Sequence, residues 1–130
     1  MSNLADAMPF AKSIGVRMIE ASPEKIAGEL IVREDLCTAG GILHGGAVMA
    51  FADSLGAIGA FLSLPEGATG TTTVESKTNF LGAAKLGAVV RGETTPVHRG
   101  KRTSVWQTRI SVGDKAVALV IQTQMTLFPG

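Results

Sequence analysis

Alternating apolar and polar side chains along much of the chain predict a structure built mainly from β-strands. The clearest alternation lies in residues 103–112, where Trp106, Ile110 and Val112 share one face and polar side chains occupy most of the other. This two-residue period is typical of a strand with one covered face. Together with the turn signals Pro23-Glu24 and Gly113-Asp114, the pattern predicts six strands, at residues 16–22, 25–32, 69–80, 88–97, 103–112 and 115–128.

One segment has helical character instead. Residues 47–64 are rich in alanine, leucine and methionine and contain no proline, which favours a helix. Pro65-Glu66-Gly67 should end it. Because the segment is apolar nearly all the way round, we expect the helix to be buried on most sides. Residues 4–14, with Pro9 near their middle, predict a short helix or turn.

The order of these elements is two strands, one helix and then four strands. Strands joined by short turns form antiparallel sheets, so the sheet should wrap around the single long helix. We therefore predict an α+β fold, with an antiparallel sheet of about six strands around one central helix and with residues 1–130 as one domain. Such a sheet leaves uncovered edges, from which we expect an oligomer.

Composition narrows the class of protein. Of the 130 residues, 45% are hydrophobic and 18% charged, with a formal net charge of +1, so neither a nucleic acid nor a membrane is expected as a partner. Cys37 is the only cysteine and excludes an intrachain disulfide. With no secretory signal pattern at the start of the sequence, this favours a cytoplasmic location. Two histidines and one cysteine show no metal-ligand spacing, and no dinucleotide or phosphate-loop motif is present, so neither a metal nor a cofactor is expected.

Asp53 is the most informative residue. It lies within the apolar helical segment, with no basic residue on that segment to pair with it. Burying a carboxylate carries a desolvation cost, so an unpaired one indicates a use. The alternatives are that Asp53 caps a second helix beginning at Ser54 or lies on an exposed turn.

His44-Gly45-Gly46 stands at the predicted start of the same helix. Free backbone N–H groups at a helix N-terminus can polarise a carbonyl and hold an oxyanion, and glycine allows close approach. The alternative is a flexible loop with a solvated histidine.

Residues 43–53, Leu-His-Gly-Gly-Ala-Val-Met-Ala-Phe-Ala-Asp, closely resemble the helix motif of hotdog-fold thioesterases of the phenylacetyl-CoA and 4-hydroxybenzoyl-CoA branch. In that family His-Gly-Gly opens the central helix and an acidic residue follows nine positions after the histidine. Residues 72–75 resemble the strand after the helix, and the strand order agrees. The resemblance implies a hotdog fold and an acyl-CoA or aryl-CoA thioesterase, for which CoA is part of the substrate.

The same resemblance implies roles for individual residues. Gly45 would polarise the thioester carbonyl through its N–H. His44 would shape that turn and help to orient the thioester, and Gly46 would be among the residues that bind the substrate. Asp53 would act as nucleophile or general base from the neighbouring chain of a dimer or tetramer. Thr73 would position the carboxylate or the water. One departure concerns Thr38, which would belong to the substrate-binding residues and stands where the family usually has Asn or Gln. Its hydroxyl donates only one hydrogen bond, so modest activity or a shifted substrate preference is expected.

The densest basic cluster contains Arg99, Lys101 and Arg102. These side chains suit phosphate oxygens, and the family often holds the CoA nucleotide near this hairpin. The alternative is a solvated hairpin tip. Two other functions also stay open for the whole chain: a hotdog hydratase or dehydratase, for which neither histidine has the expected spacing, and a non-catalytic acyl-CoA binding or sensing protein.

Overall fold

The computed structural model describes residues 3–130. Its two α-helices and six strands are α1 (Pro9–Ile14), β1 (Arg17–Ser22), β2 (Lys25–Ile31), α2 (Gly45–Leu62), β3 (Gly70–Phe80), β4 (Val89–Arg99), β5 (Thr103–Val112) and β6 (Lys115–Leu127). The short 3₁₀ turns Leu4–Ala7 and Glu34–Leu36 precede α1 and α2. Pro9 is the first residue of α1, where its missing N–H costs no hydrogen bond.

The six strands form one antiparallel sheet in the order β1-β2-β4-β5-β6-β3. Short turns join β1 to β2, β4 to β5 and β5 to β6, whereas α2 lies between β2 and β3 in sequence. Strand β3 therefore occupies one edge of the sheet, paired on only one side, with β6. That edge carries residues of the candidate site.

Helix α2 packs against all six strands of the sheet. Phe51, Ala52 and Leu55 are fully buried there. The approach is close because glycines of β2 and β4 face the helix: a Cβ on Gly92 would lie 2.5 Å from the Leu55 side chain. Removing this much apolar surface from water is the main stabilising contribution of the core.

The sequence-based prediction of the elements is confirmed. The helix begins at Gly45 and ends at Leu62, and β4 extends two residues further than the sequence pattern indicated. In the hairpin between β5 and β6, Gly113 has a φ of 56°, the left-handed value that a type II′ turn needs at its first central position.

Burial of α2 is less complete than expected. A stripe along one side of the helix remains at least partly exposed: Gly46, Ala50, Asp53, Ala57 and Phe61. Their spacing of three or four residues defines one face of a helix. By length and composition α2 could cross a membrane, but half of that window is buried within the fold.

Candidate active site

The start of α2 presents a free backbone donor. His44 is the N-cap residue, and its Nδ1 accepts a hydrogen bond from the Gly46 N–H at 2.8 Å. The N–H groups of Ala47 and Val48 donate to the His44 carbonyl. Within residues 3–130 no acceptor takes the N–H of Gly45. Gly45 is thus the donor that this helix N-terminus offers to a ligand, while the N–H of Gly46 is engaged by the cap.

A cavity of about 360 Å³ opens beside Gly45. Thr38 and Phe80 contribute to its wall, and a Cβ on Gly45 would lie 3.2 Å from the Phe80 ring. The Thr38 hydroxyl accepts from the Gly40 N–H at 3.2 Å, which ties the side chain to its own loop. Thr38 and Gly45 therefore lie at the same cavity.

Asp53 lies halfway along the exposed stripe of the continuous helix α2, so it caps no second helix. Its partner is a hydroxyl: Thr73 Oγ1 on β3 donates to Asp53 Oδ1 at 2.7 Å. Among the described residues, no cation forms an ion pair with Asp53. The carboxylate is only partly buried, so one oxygen is held by Thr73 while the group stays accessible.

A β-bulge in β3 points Thr73 toward the helix. Thr73 pairs with Gln124 and Glu75 pairs with Thr123, which leaves Val74 as an extra residue in the strand. Side chains alternate between the faces of a strand, so Ser76 and Thr73 would lie on opposite faces without the insertion. The bulge brings Thr73 to the inner face, beside Asp53.

Behind Thr73 lies a polar network that the sequence analysis did not find. Gln124 Nε2 donates to Thr73 Oγ1 at 2.6 Å and also to Gln122 Oε1. Gln122 Nε2 donates to the backbone carbonyl of Ala52 at 3.1 Å. Both glutamine side chains are fully buried. Asp53 and its neighbour Ala52 are therefore linked to β6 through a chain of side-chain hydrogen bonds.

An apolar cavity, also of about 360 Å³, begins one helical turn beyond Asp53. Ala57 and Phe61 of α2 contribute to its wall, as do Met8 near the N-terminus and Thr71 of β3. Thr71 and Thr73 lie on the same face of β3, so the cavity adjoins the Asp53–Thr73 pair. Its volume lies in the range of ligand pockets.

The basic cluster lies at the tip of the β4–β5 hairpin. Arg99 Nη1 donates to the carbonyl of Pro23 at 2.9 Å, which fastens this hairpin to the β1–β2 turn. Lys101 and Arg102 are exposed, and Lys101 Nζ lies 5.9 Å from the centre of the Phe128 ring. Thr103 is paired with Met125, one residue beyond Gln124. The cluster therefore lies at the end of the sheet nearer to Thr73 than to Phe80.

The structure brings the predicted site residues together as two pairs, and the two pairs lie apart from each other within one chain. Thr38 lies with Gly45, and Thr73 lies with Asp53. Gly45 and Asp53 are eight residues apart on one continuous helix, a separation of about 12 Å along its axis. A thioester carbonyl held by Gly45 is consequently beyond the reach of Asp53 from the same chain.

Comparison with known proteins shows the class to which this fold belongs. A family model of the thioesterase superfamily matches residues 40–119, more than half of the chain. The chain belongs to the thioesterase superfamily and is a hydrolase of that class.

Individual relatives support the same assignment. The chain is 29% identical over 124 residues to 1,4-dihydroxy-2-naphthoyl-CoA thioesterase 2 of Arabidopsis thaliana, covering 92% of this chain and 78% of the relative. It is 35% identical over 86 residues to 1,4-dihydroxy-2-naphthoyl-CoA hydrolase of Escherichia coli, covering 66% and 60%. The solved structure of Rv1847 from Mycobacterium tuberculosis is similar with a TM-score of 0.89 at 27% identity, over 95% of this chain and 99% of that one. The predicted hotdog fold and thioesterase class are confirmed.

Proposed function

We propose that this protein hydrolyses acyl-CoA or aryl-CoA thioesters to the free acid and CoA, with Asp53 as the catalytic carboxylate. The observation that carries the proposal is the position of Asp53: it is the only charged side chain on α2, and Thr73 holds one of its oxygens at 2.7 Å. The two relatives named for a naphthoyl-CoA substrate support a CoA thioester as the substrate class.

The chemistry requires a polarised carbonyl and an attacking oxygen. The N–H of Gly45 would donate to the carbonyl oxygen and stabilise the oxyanion of the tetrahedral intermediate. His44 orients this turn through its bond to Gly46, and Thr38 lies at the same cavity. Asp53 then attacks the carbonyl carbon itself or removes a proton from the attacking water. Either route ends with water consumed, the C–S bond broken and CoA released as the thiol.

We infer that two chains share each active site, because Gly45 and Asp53 of one chain lie about 12 Å apart along the helix. A C2 dimer brings together different residues of the same patch, so it can join Asp53 of one chain to Gly45 of the other. The exposed stripe of α2 carries Asp53 at its centre and would lie in that interface.

Edge strand β3 supplies a geometry for such a dimer. Thr73 lies near its beginning and Phe80, which contacts Gly45, at its end. Antiparallel pairing of β3 with its copy, centred on Lys77, would bring the Thr73 end of one chain alongside the Phe80 end of the other. It would also set Ser76 opposite Thr78 of the second chain. The hydroxyls of both residues are buried without a hydrogen-bond partner among the described residues, and buried polar groups normally have one.

The remaining features suit the two ends of the substrate. The apolar cavity beside Asp53 would hold the acyl or aryl group, which is stabilised by leaving water. Lys101 and Arg102, with Arg99 beside them, would contact CoA phosphates. We expect the protein to be cytoplasmic and the dimers to pair further into a homotetramer.

Replacing Asp53 with asparagine tests the proposal. Asp53→Asn should lower kcat at least about a hundredfold on aromatic and straight-chain acyl-CoA esters, because the amide can neither attack nor accept a proton efficiently. Release of CoA is followed with a thiol-detecting reagent. Asp114→Asn, on the exposed β5–β6 hairpin, is the matched control and should behave as wild type. Turnover of the Asp53→Asn protein within a few fold of wild type would refute the catalytic role, and substrate binding without turnover in wild type would indicate a binding or sensing protein.

A further inference from the structure

We propose that Gln122 and Gln124 are positioning residues that fix the direction of the hydrogen bond to Asp53 and so reserve its Oδ2 for the reaction. This inference rests on the catalytic role proposed for Asp53. It concerns residues that touch neither the cavity at Gly45 nor the apolar cavity beside Asp53.

The donor-to-acceptor direction of this chain of hydrogen bonds is set at the backbone carbonyl of Ala52. A carbonyl oxygen can only accept hydrogen bonds, so the amide of Gln122 must turn its Nε2 toward Ala52, as observed at 3.1 Å. The opposite orientation would bring two acceptor oxygens together. Gln122 therefore presents its Oε1, an acceptor, to Gln124.

The orientation of the Gln122 amide also fixes the orientation of the Gln124 amide. It must turn its Nε2 toward the Gln122 oxygen, and the same nitrogen lies 2.6 Å from Thr73 Oγ1. Its Oε1 accepts from the hydroxyl of Thr71 at 2.9 Å. Both N–H groups of Gln124 are thus used, and Thr73 receives one of them.

The hydroxyl of Thr73 is left with one hydrogen to donate. Because its oxygen accepts from Gln124, that hydrogen points to Asp53 Oδ1, 2.7 Å away. Among the described residues, Oδ2 of Asp53 accepts no side-chain hydrogen bond. The chain of bonds thus holds Oδ1 and leaves Oδ2 to attack the carbonyl or to accept a proton from water.

Gly56 is independent evidence that this arrangement is built into the fold. A Cβ at Gly56 would lie 2.2 Å from Gln122 Nε2, so only glycine lets the amide approach the helix. Glycine in a helix interior is about 1 kcal/mol less favourable than alanine. The helix retains the less favourable residue where the amide of Gln122 contacts it.

In another buried polar pair of this core, donor and acceptor are not fixed. Thr94 and Thr108 are fully buried and hydrogen-bonded to each other at 2.6 Å, and either hydroxyl can be the donor. No bond joins this pair to Asp53. It provides a matched control for the loss of a buried polar group.

The test is a double-mutant cycle with Thr73. Gln124→Met, of similar shape and with no group that can donate a hydrogen bond, should lower kcat for an acyl-CoA ester at least about tenfold, since small displacements of a reacting group are costly. KM should change little, because Gln124 touches no substrate. Thr73→Val should have a similar effect. In the Thr73→Val protein, the added Gln124→Met should lower kcat by no more than about twofold, because the glutamine acts only through that hydroxyl.

Two further variants keep the experiment decisive. Thr73→Ser retains the hydroxyl and should retain most of kcat. Gln122→Met should reproduce the effect of Gln124→Met from a position that forms no hydrogen bond with Thr73 or Asp53. Circular dichroism identifies which variants fold, and the folded glutamine variant carries the test. Thr108→Val should lower the melting temperature but leave kcat unchanged.

Three results would overturn the inference: an unchanged kcat in a folded glutamine variant, an effect that appears in KM instead, or effects of the glutamine and Thr73 changes that multiply. A loss in Thr108→Val as large as that in Gln124→Met would also count against it. These outcomes are distinct from failure of the proposed function. If Asp53→Asn is inactive and Gln124→Met is fully active, only the inference about positioning is wrong; if Asp53→Asn is active, the catalytic assignment itself is wrong.

Discussion

Gly56 and Gly59 of α2 each leave room for a large side chain from the sheet, but the two side chains serve different purposes. A Cβ at Gly56 would lie 2.2 Å from the Gln122 amide, whereas one at Gly59 would lie 2.8 Å from the Trp106 ring. The first contact belongs to the polar network behind Asp53. The second belongs to the apolar packing of the helix on β5. The two glycines therefore offer matched substitutions that separate the site from the core.

We predict that Gly56→Ala lowers kcat at least about tenfold, because the displaced Gln122 can no longer orient Gln124. Gly59→Ala should leave kcat near wild type and lower the melting temperature, because the rigid indole must move. Both substitutions raise intrinsic helix propensity equally. Any difference in kcat between the two proteins therefore comes from the side chain that each new Cβ displaces. Steady-state kinetics and thermal unfolding of the two proteins provide the comparison. Equal losses of kcat in both would mean that the backbone of α2, and not Gln122, is what the site depends on.

At this scale the sequence predicted some residues and not others. Asp53 was identifiable because a carboxylate is unusual in an apolar helix, and Gly45 because it follows a histidine at the helix start. Gln122 and Gln124 alternate with Ile121 and Met125, a pattern that suggests the glutamines face solvent. The structure reverses this: both glutamines are buried, while Met125 is 44% exposed. Their burial depends on partners more than 40 residues away, which alternation along one strand cannot reveal.

Among the elements, the β4–β5 hairpin carries the basic cluster of Arg99, Lys101 and Arg102. Arg99 is already bonded to the carbonyl of Pro23, so replacing it would also loosen the contact between two hairpins. Lys101 and Arg102 have exposed side chains and can be changed with less effect on the fold. They are the residues with which to test whether this hairpin binds CoA.

The double variant Lys101→Ala, Arg102→Ala should raise KM for CoA esters several-fold and leave kcat nearly unchanged, because phosphate contacts bind ground and transition states alike. The difference from wild type should shrink at high salt, which screens exposed charges. A short thioester without the nucleotide is the control and should show no difference. An unchanged KM for CoA esters would identify the cluster as a solvated hairpin tip.

The element boundaries could largely be predicted from sequence, since Gly, Pro and Asp mark turns by local chemistry. The bulge at Val74 could not. Residues 71–73 are three consecutive threonines, so nothing in their identity shows which of them face the helix. That choice is made by the pairing of β3 with β6, a contact distant in sequence.

For the whole molecule, the separation of Gly45 from Asp53 leads to a complementation experiment. Asp53→Asn removes the carboxylate, and Gly45→Pro removes the N–H while keeping a residue that suits the first position of a helix. Each protein alone should be inactive. After unfolding and refolding an equal mixture, half of the dimers contain one chain of each kind, and each of these has one intact shared site. The mixture should therefore recover about a quarter of the wild-type rate.

Separately refolded proteins that are mixed only before the assay are the control and should stay inactive until the chains exchange. If every site were formed within one chain, no mixture of the two variants would recover activity. A wild-type monomer that is active at assay concentration, measured by sedimentation, would likewise contradict a shared site.

The extra residue at Val74 acts as a dislocation in the pleat of β3. After it, Ser76, Thr78 and Phe80 follow the regular alternation of a strand. Before it, the alternation is shifted by one residue, so that Thr71 and Thr73 still face α2. A regular strand of the same sequence would aim the isopropyl group of Val74 at Asp53 and turn Thr73 outward. The position of the hydroxyl beside Asp53 thus depends on this shift of one residue and not only on the presence of threonine. A related sequence that kept the threonine but lacked the extra residue at Val74 would therefore have a different site.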